Sequence, residues 1–184
     1  MNAYILAGGM NQRFGGDKAL YRYRGKSLIT YPADRFAAHF NNLVIIAKDS
    51  APYTDLKYIV LEDLLSYKTP LAGIYTGLCH TDIDWNFFLA CDMPLITLKA
   101  VDKLARTIPR TSANCEVIIP RSPEGLQPLA AFYHKSLADV FMKTAEQVRS
   151  LKDFLLCRSA EIVDFESDKP FTNVNSREQL KHLD

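Results

Sequence analysis

No stretch of the sequence approaches the ~20 consecutive apolar residues needed to cross a bilayer, so no membrane-spanning role is expected. The four cysteines, Cys79, Cys91, Cys115 and Cys157, show no close spacing of the kind that marks a zinc or redox motif. They are expected to be reduced and mostly buried thiols. The four histidines, His39, His80, His134 and His182, are equally scattered and are read as structural or solvated. Neither sign of charge is in excess. The formal net charge is +1, so no global field draws nucleic acid or an acidic membrane to the chain, and positive charge must act locally. A secretory signal is not expected, because the sequence opens Met1-Asn2-Ala3 and enters an apolar run at once; the expected location is the cytoplasm. Linkers, internal repeats and low-complexity segments are also missing. What remains is ordinary for a globular chain: 184 residues, 48% hydrophobic and 23% charged. That length can bury a core without staples and is expected to form a single domain over residues 1–184.

Short apolar runs alternate with helical patterns. Tyr4-Ile5-Leu6-Ala7, Leu43 to Ala47, Tyr58 to Leu61 and Trp85 to Ala90 read as buried strands. Leu28 to Phe40 carries apolar residues near helical spacing. Leu71 to Cys79 follows Thr69-Pro70, with proline placed for a first helical turn. Thr97 to Thr107 is a third helix, with Thr97 as N-cap. This alternation predicts an α/β fold of three α/β/α layers around a mostly parallel sheet. The second half is less regular. Val117 to Ile119, Leu129 to Tyr133 and Ile162 to Phe165 read as strands; Ser136 to Glu146, Ser150 to Leu156 and Ser176 to Leu183 read as helices. Ser122-Pro123-Glu124-Gly125 is a turn.

Open α/β sheets bind ligands beyond the carboxyl ends of their strands. The first such loop runs from Gly8 to Lys18 and holds four glycines, Gly8, Gly9, Gly15 and Gly16. Glycines let the backbone approach a ligand closely and turn its N–H groups onto phosphate oxygens. Arg13 can grip phosphate with its planar fork, and Lys18 can add a point charge. Two better-known phosphate motifs fail. Met10 replaces the second glycine of a dinucleotide fingerprint, and Leu20 replaces the first glycine of a P-loop ending at Gly25-Lys26-Ser27. Lys26 is therefore read as a turn residue.

Carboxylates mark two further strand ends. Asp92 follows the run Phe87 to Cys91, and Pro94 stops the strand two residues later. Its carboxylate should face the same crevice as the glycine loop. A hard cation such as Mg²⁺ is held by one or two carboxylates together with substrate phosphates. Glu62-Asp63 follows Tyr58 to Leu61 in the same way.

Together these residues resemble the molybdenum cofactor guanylyltransferase family, within the nucleotidyltransferases of Rossmann-like fold. The matching segments are Leu6 to Gly9, Arg13 to Lys18, Glu62-Asp63, Pro70 to Gly73, Cys91 to Pro94, Gln127 to Leu129 and Phe171 to Asn175, in family order along nearly the whole chain. The resemblance implies GTP as donor, a molybdopterin-type acceptor carrying molybdenum, and Mg²⁺ as cofactor. It implies nucleotide contacts at Leu6, Ala7, Gly8, Gly9, Lys18, Asp63 and Asp92, catalytic roles for Arg13, Lys18 and Asp92, and the metal on Asp92. Asn173 and Asn175 would lie on the acceptor side. Molybdoenzymes or delivery chaperones would be further partners; nucleic acid and membrane would not. The sequence departs from the family at Ile46-Ala47-Lys48-Asp49, where an asparagine-containing segment is usual, so no nucleotide contact is assigned there. Gly9 favours GTP over CTP. A cytidylyltransferase or sugar-phosphate nucleotidyltransferase remains the alternative within enzymes, and a nucleotide-binding regulator without turnover the alternative outside them. Asn173 and Asn175 could instead cap the helix starting near Ser176.

Overall fold

The computed structural model describes residues 1–7, 10–11, 16–66, 69–144 and 150–180. Eight strands form its central sheet: β1 Asn2–Ala7, β2 Leu43–Ala47, β3 Ile59–Glu62, β4 Trp85–Ala90, β5 Val117–Ser122, β6 Gly125–Leu126, β7 Ala130–His134 and β8 Ala160–Asp164. The helices are α1 Thr30–Phe36, α2 Pro70–Cys79, α3 Leu98–Ala105, α4 Leu137–Thr144, α5 Leu151–Leu156 and α6 Arg177–Leu180. β1 lies between parallel neighbours, with Ile5 opposite Ile45 on β2 and Leu89 on β4. β3 pairs in parallel with β2. On the other side β7 runs antiparallel between β4 and β5, while β8 pairs with β5 in parallel.

All six residues of β1 are buried, as expected of a strand covered on both faces. Successive side chains point to opposite faces. Ala3, Ile5, Ala7, Ile45, Phe87 and Leu89 therefore pack under α1 and α3, with Ala33, Phe36, Val101 and Leu104. Tyr4, Leu6, Val44, Ile46 and Phe88 pack against α2, α4 and α5, with Leu71, Ile74, Leu78, Phe141 and Phe154. The expected three layers follow. No helix among the described residues is long and apolar enough to cross a membrane.

Caps fix the helix starts. The Thr69 side chain accepts from Leu71 N at 3.0 Å, with Pro70 at the first helical position. Thr97 accepts from Ala100 N at 3.2 Å and opens α3. The helix expected over Leu28 to Phe40 is shorter. Leu28 N and Ile29 N donate to Tyr21 O and Ala19 O, both at 3.0 Å, so their backbone is committed to a turn before α1 begins. Lys26 lies just past a tight turn at Arg24 (φ 47°) and Gly25 (φ 82°), and its ammonium meets Asp34 at 2.9 Å. The thiols differ from expectation. Cys91 and Cys115 are buried, but Cys79 and Cys157 are exposed, because both fall at helix ends. The expected helices over Ser136 to Glu146 and Ser176 to Leu183 extend past the described residues at their ends.

Gly77 lets α2 sit directly on the sheet. A Cβ there would lie 2.6 Å from Phe88 Cε1 and 3.1 Å from Ile46 Cδ1. The Phe88 ring has little room to yield, because it stacks on Tyr4 at 4.9 Å and meets Tyr133 edge-on at 5.5 Å. Gly77→Ala is therefore expected to destabilise by about 1–3 kcal/mol through overpacking, outweighing the ~1 kcal/mol helix-propensity gain of alanine. Urea denaturation measures this; a variant as stable as the parent would contradict the close packing.

Candidate active site

Parallel pairing brings the carboxyl ends of β1, β2, β3 and β4 to one edge of the sheet. Asp92 lies two residues beyond β4. Cys91 N donates to Leu6 O at 3.2 Å, and Met93 N turns back to Ala90 O at 3.3 Å. The Asp92 carbonyl accepts from Val174 N at 2.8 Å, which ties this turn to the C-terminal segment. Its side chain is thus held from both directions at the head of the crevice.

Lys18 meets it there. Its Nζ lies 2.9 Å from Asp92 Oδ2 and donates to Asn175 Oδ1 at 3.0 Å. Only 7% of the Lys18 side chain is exposed, against 25% for Asp92. Charges this far out of water persist only when paired and hydrogen-bonded. The second carboxylate oxygen, Asp92 Oδ1, is buried and has no hydrogen-bond partner among the described residues. A buried anionic oxygen without a partner calls for an explanation, and a bound cation is one that suits its charge. No group of three or more His, Cys, Asp or Glu side chains could cage a metal among the described residues. The donor set therefore fits a hard cation that takes one carboxylate and completes its shell with phosphate and water.

The C-terminal segment resolves the two readings of the asparagine pair in part. Val174 is fully buried against Leu28 and Leu180, while Asn173 and Asn175 are exposed on the opposite face. Ser176 is the residue that caps α6: Gln179 N donates to Ser176 Oγ at 3.4 Å, and Gln179 Oε1 accepts from Ser176 N at 3.1 Å. The Asn175 side chain is turned instead to Lys18. Asn173 does not join that cluster.

Asp63 stands apart as well. Its N–H donates to Ala47 O at 2.9 Å, so it sits at the ends of β2 and β3. Three strand spacings of about 4.8 Å separate it from the line of β4, or roughly 14 Å across the crevice. Burial pushes its carboxyl pKa up, offset in part by Thr76 and Lys48. Thr76 Oγ1 lies 3.5 Å from Asp63 Oδ1 and accepts from Leu64 N at 2.9 Å. Leu6 and Ala7 are buried in β1, so any ligand contact they make is through their backbone. Gly8, Gly9 and Arg13 lie outside the described residues.

Two side chains of this site, Arg35 and Tyr53, carried no recognisable sequence signal. Arg35 on α1 donates from Nη1 to Pro94 O at 2.8 Å and to Ile96 O, clamping the loop that follows Asp92. Asp17 and Tyr53 hydrogen-bond to each other beside Lys18. Each pairing joins residues far apart in the chain, so no local spacing announces it.

A family model of the MobA-like NTP transferase domain matches residues 3–162. The molybdenum cofactor guanylyltransferase of Shewanella woodyi is 32% identical over 188 residues, covering 100% of this chain and 95% of that protein. The structure of molybdopterin-guanine dinucleotide biosynthesis protein A from Archaeoglobus fulgidus superposes with a TM-score of 0.82 at 23% identity, over 99% of this chain and 96% of that one. A Mycobacterium tuberculosis protein solved in complex with manganese has the same fold, with a TM-score of 0.68 at 16% identity over 99% and 96% of the two chains. Fold and family together define a nucleotidyltransferase of Rossmann-like architecture. The chain belongs to the MobA-like NTP transferase family.

Proposed function

We propose that this enzyme transfers GMP from GTP to the terminal phosphate of a molybdenum-bearing molybdopterin, giving a guanine dinucleotide and pyrophosphate. The observation that carries the reading is the Lys18–Asp92 pair at the carboxyl edge of the sheet, with Asp92 Oδ1 buried and without a hydrogen-bond partner among the described residues. The chain's full-length likeness to guanylyltransferases supports the choice of substrates. The reaction takes place in the cytoplasm, and its product passes to molybdoenzymes or to a chaperone that delivers it.

In this reading the nucleotide spans the crevice, base toward Asp63 and phosphates toward Lys18 and Asp92. An acceptor phosphate oxygen forms a bond to the α-phosphorus in line, the bond to the β-phosphate oxygen breaks, and the electron pair leaves with pyrophosphate. No nucleophile from the protein is needed; positioning and charge neutralisation suffice. Asp92 would hold Mg²⁺, which would supply charge neutralisation at the phosphates. The Lys18 ammonium exchanges its pairing with Asp92 for the α-phosphate when the triphosphate arrives. Arg13 and the amides of the glycine loop, Gly8 and Gly9 among them, would stabilise the departing pyrophosphate. Asn175 orients Lys18 from the acceptor side, and Asn173, on the same face, contacts the acceptor.

Base choice tests the reading. With GTP and CTP at equal concentration, Mg²⁺ and molybdenum-bearing molybdopterin, mass spectrometry should find predominantly guanine dinucleotide. Predominant cytosine dinucleotide would move the protein to the sister activity, and no dinucleotide from either would remove the acceptor assignment.

A further inference from the structure

We propose that Tyr53 is a positioning residue for Lys18, acting through Asp17; this rests on the reading of Lys18 as the cation that meets the α-phosphate. Asp17 divides its carboxylate between two donors. Oδ1 accepts from Ala19 N at 2.9 Å, and Oδ2 accepts from the Tyr53 hydroxyl. The carboxylate therefore spans Lys18 from one chain neighbour to the other and fixes the backbone from which the ammonium projects. Asp17 itself is exposed, so it needs an anchor, and Tyr53 supplies one.

The anchor is rigid. The Tyr53 ring is 3% exposed and packs in the same core as Ala7, Ala19 and Cys91. Its segment, Ala51–Tyr53, is a single helical turn tied to the end of β3 through Ser50. Asp49 Oδ1 accepts from Ala51 N at 3.0 Å. Glu62 Oε1, at the end of β3, accepts from Ser50 N at 3.0 Å and Ser50 Oγ at 2.7 Å. Burial and the neighbouring Asp17 carboxylate hold the phenol well above its ordinary range, so it remains a protonated donor at any working pH. The ends of β2 and β3, where the base would lie, are thus joined to the residue that would touch the phosphates. Without the Tyr53 hydroxyl the Asp17 carboxylate keeps only its bond to Ala19 N, and the segment rests on backbone pairing with Met10-Asn11 and Ile29; a displacement of about 1 Å at a reacting group can cost ~10²-fold in rate.

Tyr53→Phe removes the hydroxyl and keeps the ring. The full-length variant should melt near the parent temperature and bind GTP with a KM within about twofold, while kcat falls about tenfold, the pattern of an interaction that matters mainly in the transition state. Labelling with acetic anhydride, scored by mass spectrometry on the peptide carrying Lys18, should proceed severalfold faster, because that ammonium is no longer held against Asp92 and Asn175. Asp17→Ala, which also frees Ala19 N, should lose at least as much, and the double variant no more than Asp17→Ala, since the Tyr53 hydroxyl acts only through that carboxylate. Unchanged kcat and unchanged Lys18 labelling in Tyr53→Phe would overturn the proposal, as would early melting with normal turnover at low temperature. Lys18→Met separates this from the underlying reading: if it is inactive while Tyr53→Phe is normal, only the anchor fails; if it is fully active, the phosphate role of Lys18 fails with it.

Discussion

Asp92→Asn is expected to lower kcat by roughly a hundred- to a thousandfold while leaving the fold in place, the loss typical of removing one preorganised charge partner from a transition state. The substitution is nearly isosteric. Its amide oxygen can still accept from Lys18, which lies 2.9 Å from Oδ2 in the parent. What disappears is the negative charge, and with it the buried Oδ1 that has no other partner among the described residues. A neutral amide is a weak ligand for a hard cation. The deficit should therefore be largest at limiting Mg²⁺ and shrink in part as Mg²⁺ is raised. Steady-state rates across a Mg²⁺ titration, with circular dichroism to verify folding, measure this. Full activity of the variant at limiting Mg²⁺ would remove the metal from Asp92.

Lys18→Met should abolish turnover to a similar degree and also weaken the fold. Methionine keeps the length of the stem, but Asp92 is left without its cation. Breaking one side of a fully buried pair costs ~3–5 kcal/mol. The cost here should fall below that range, because 25% of the Asp92 side chain is exposed and water can reach it. The stability loss comes from the stranded carboxylate and not from lost packing. Combining Lys18→Met with Asp92→Asn should therefore recover stability relative to Lys18→Met alone, yet remain inactive. Urea denaturation of the single and double variants, alongside kcat for each, separates the two effects. A double variant less stable than Lys18→Met would mean that the pair is not what the lysine supports.

In the parallel half of the sheet β1, β2 and β4 were legible because they are buried on both faces and read as continuous apolar runs, as in Tyr4 to Ala7 and Leu43 to Ala47; β3, read from the same kind of run, is an edge strand with Ile59 exposed and not the buried strand expected. Thr69-Pro70 and Thr97 announced their helices through cap chemistry that needs only neighbouring residues. The direction of β7 was not legible. Ala130–His134 is as apolar as the strands it lies between, and nothing local distinguishes the strand that enters the sheet reversed. The same division holds in the site. Lys18 closes the loop after β1 and Asp92 stands beyond the end of β4, both in recognisable motifs, and the structure brings them together across 74 residues of sequence. Asn175 joins them from 157 residues away. Arg35 and Tyr53 could not be found that way. Their roles lie in hydrogen bonds to a carbonyl and to a carboxylate on remote loops, and an arginine on a helix or a tyrosine after a proline reads the same without those partners. The cap role weighed for Asn175 fell to Ser176 because that serine, one residue later, completes a capping box with Gln179.

The central claim is transfer of the α-phosphoryl unit of GTP, with its nucleoside, onto an acceptor phosphate. GTP labelled with ³²P at the α-position, incubated with the full-length enzyme, Mg²⁺ and molybdenum-bearing molybdopterin, measures it directly. The label should move into the dinucleotide product, accompanied by an equal amount of unlabelled pyrophosphate, and should stay in GTP when the acceptor is omitted. Label retained in GTP with the acceptor present would leave a nucleotide-binding protein without turnover, and label released as GDP would mean cleavage at the wrong phosphorus; either result contradicts the account.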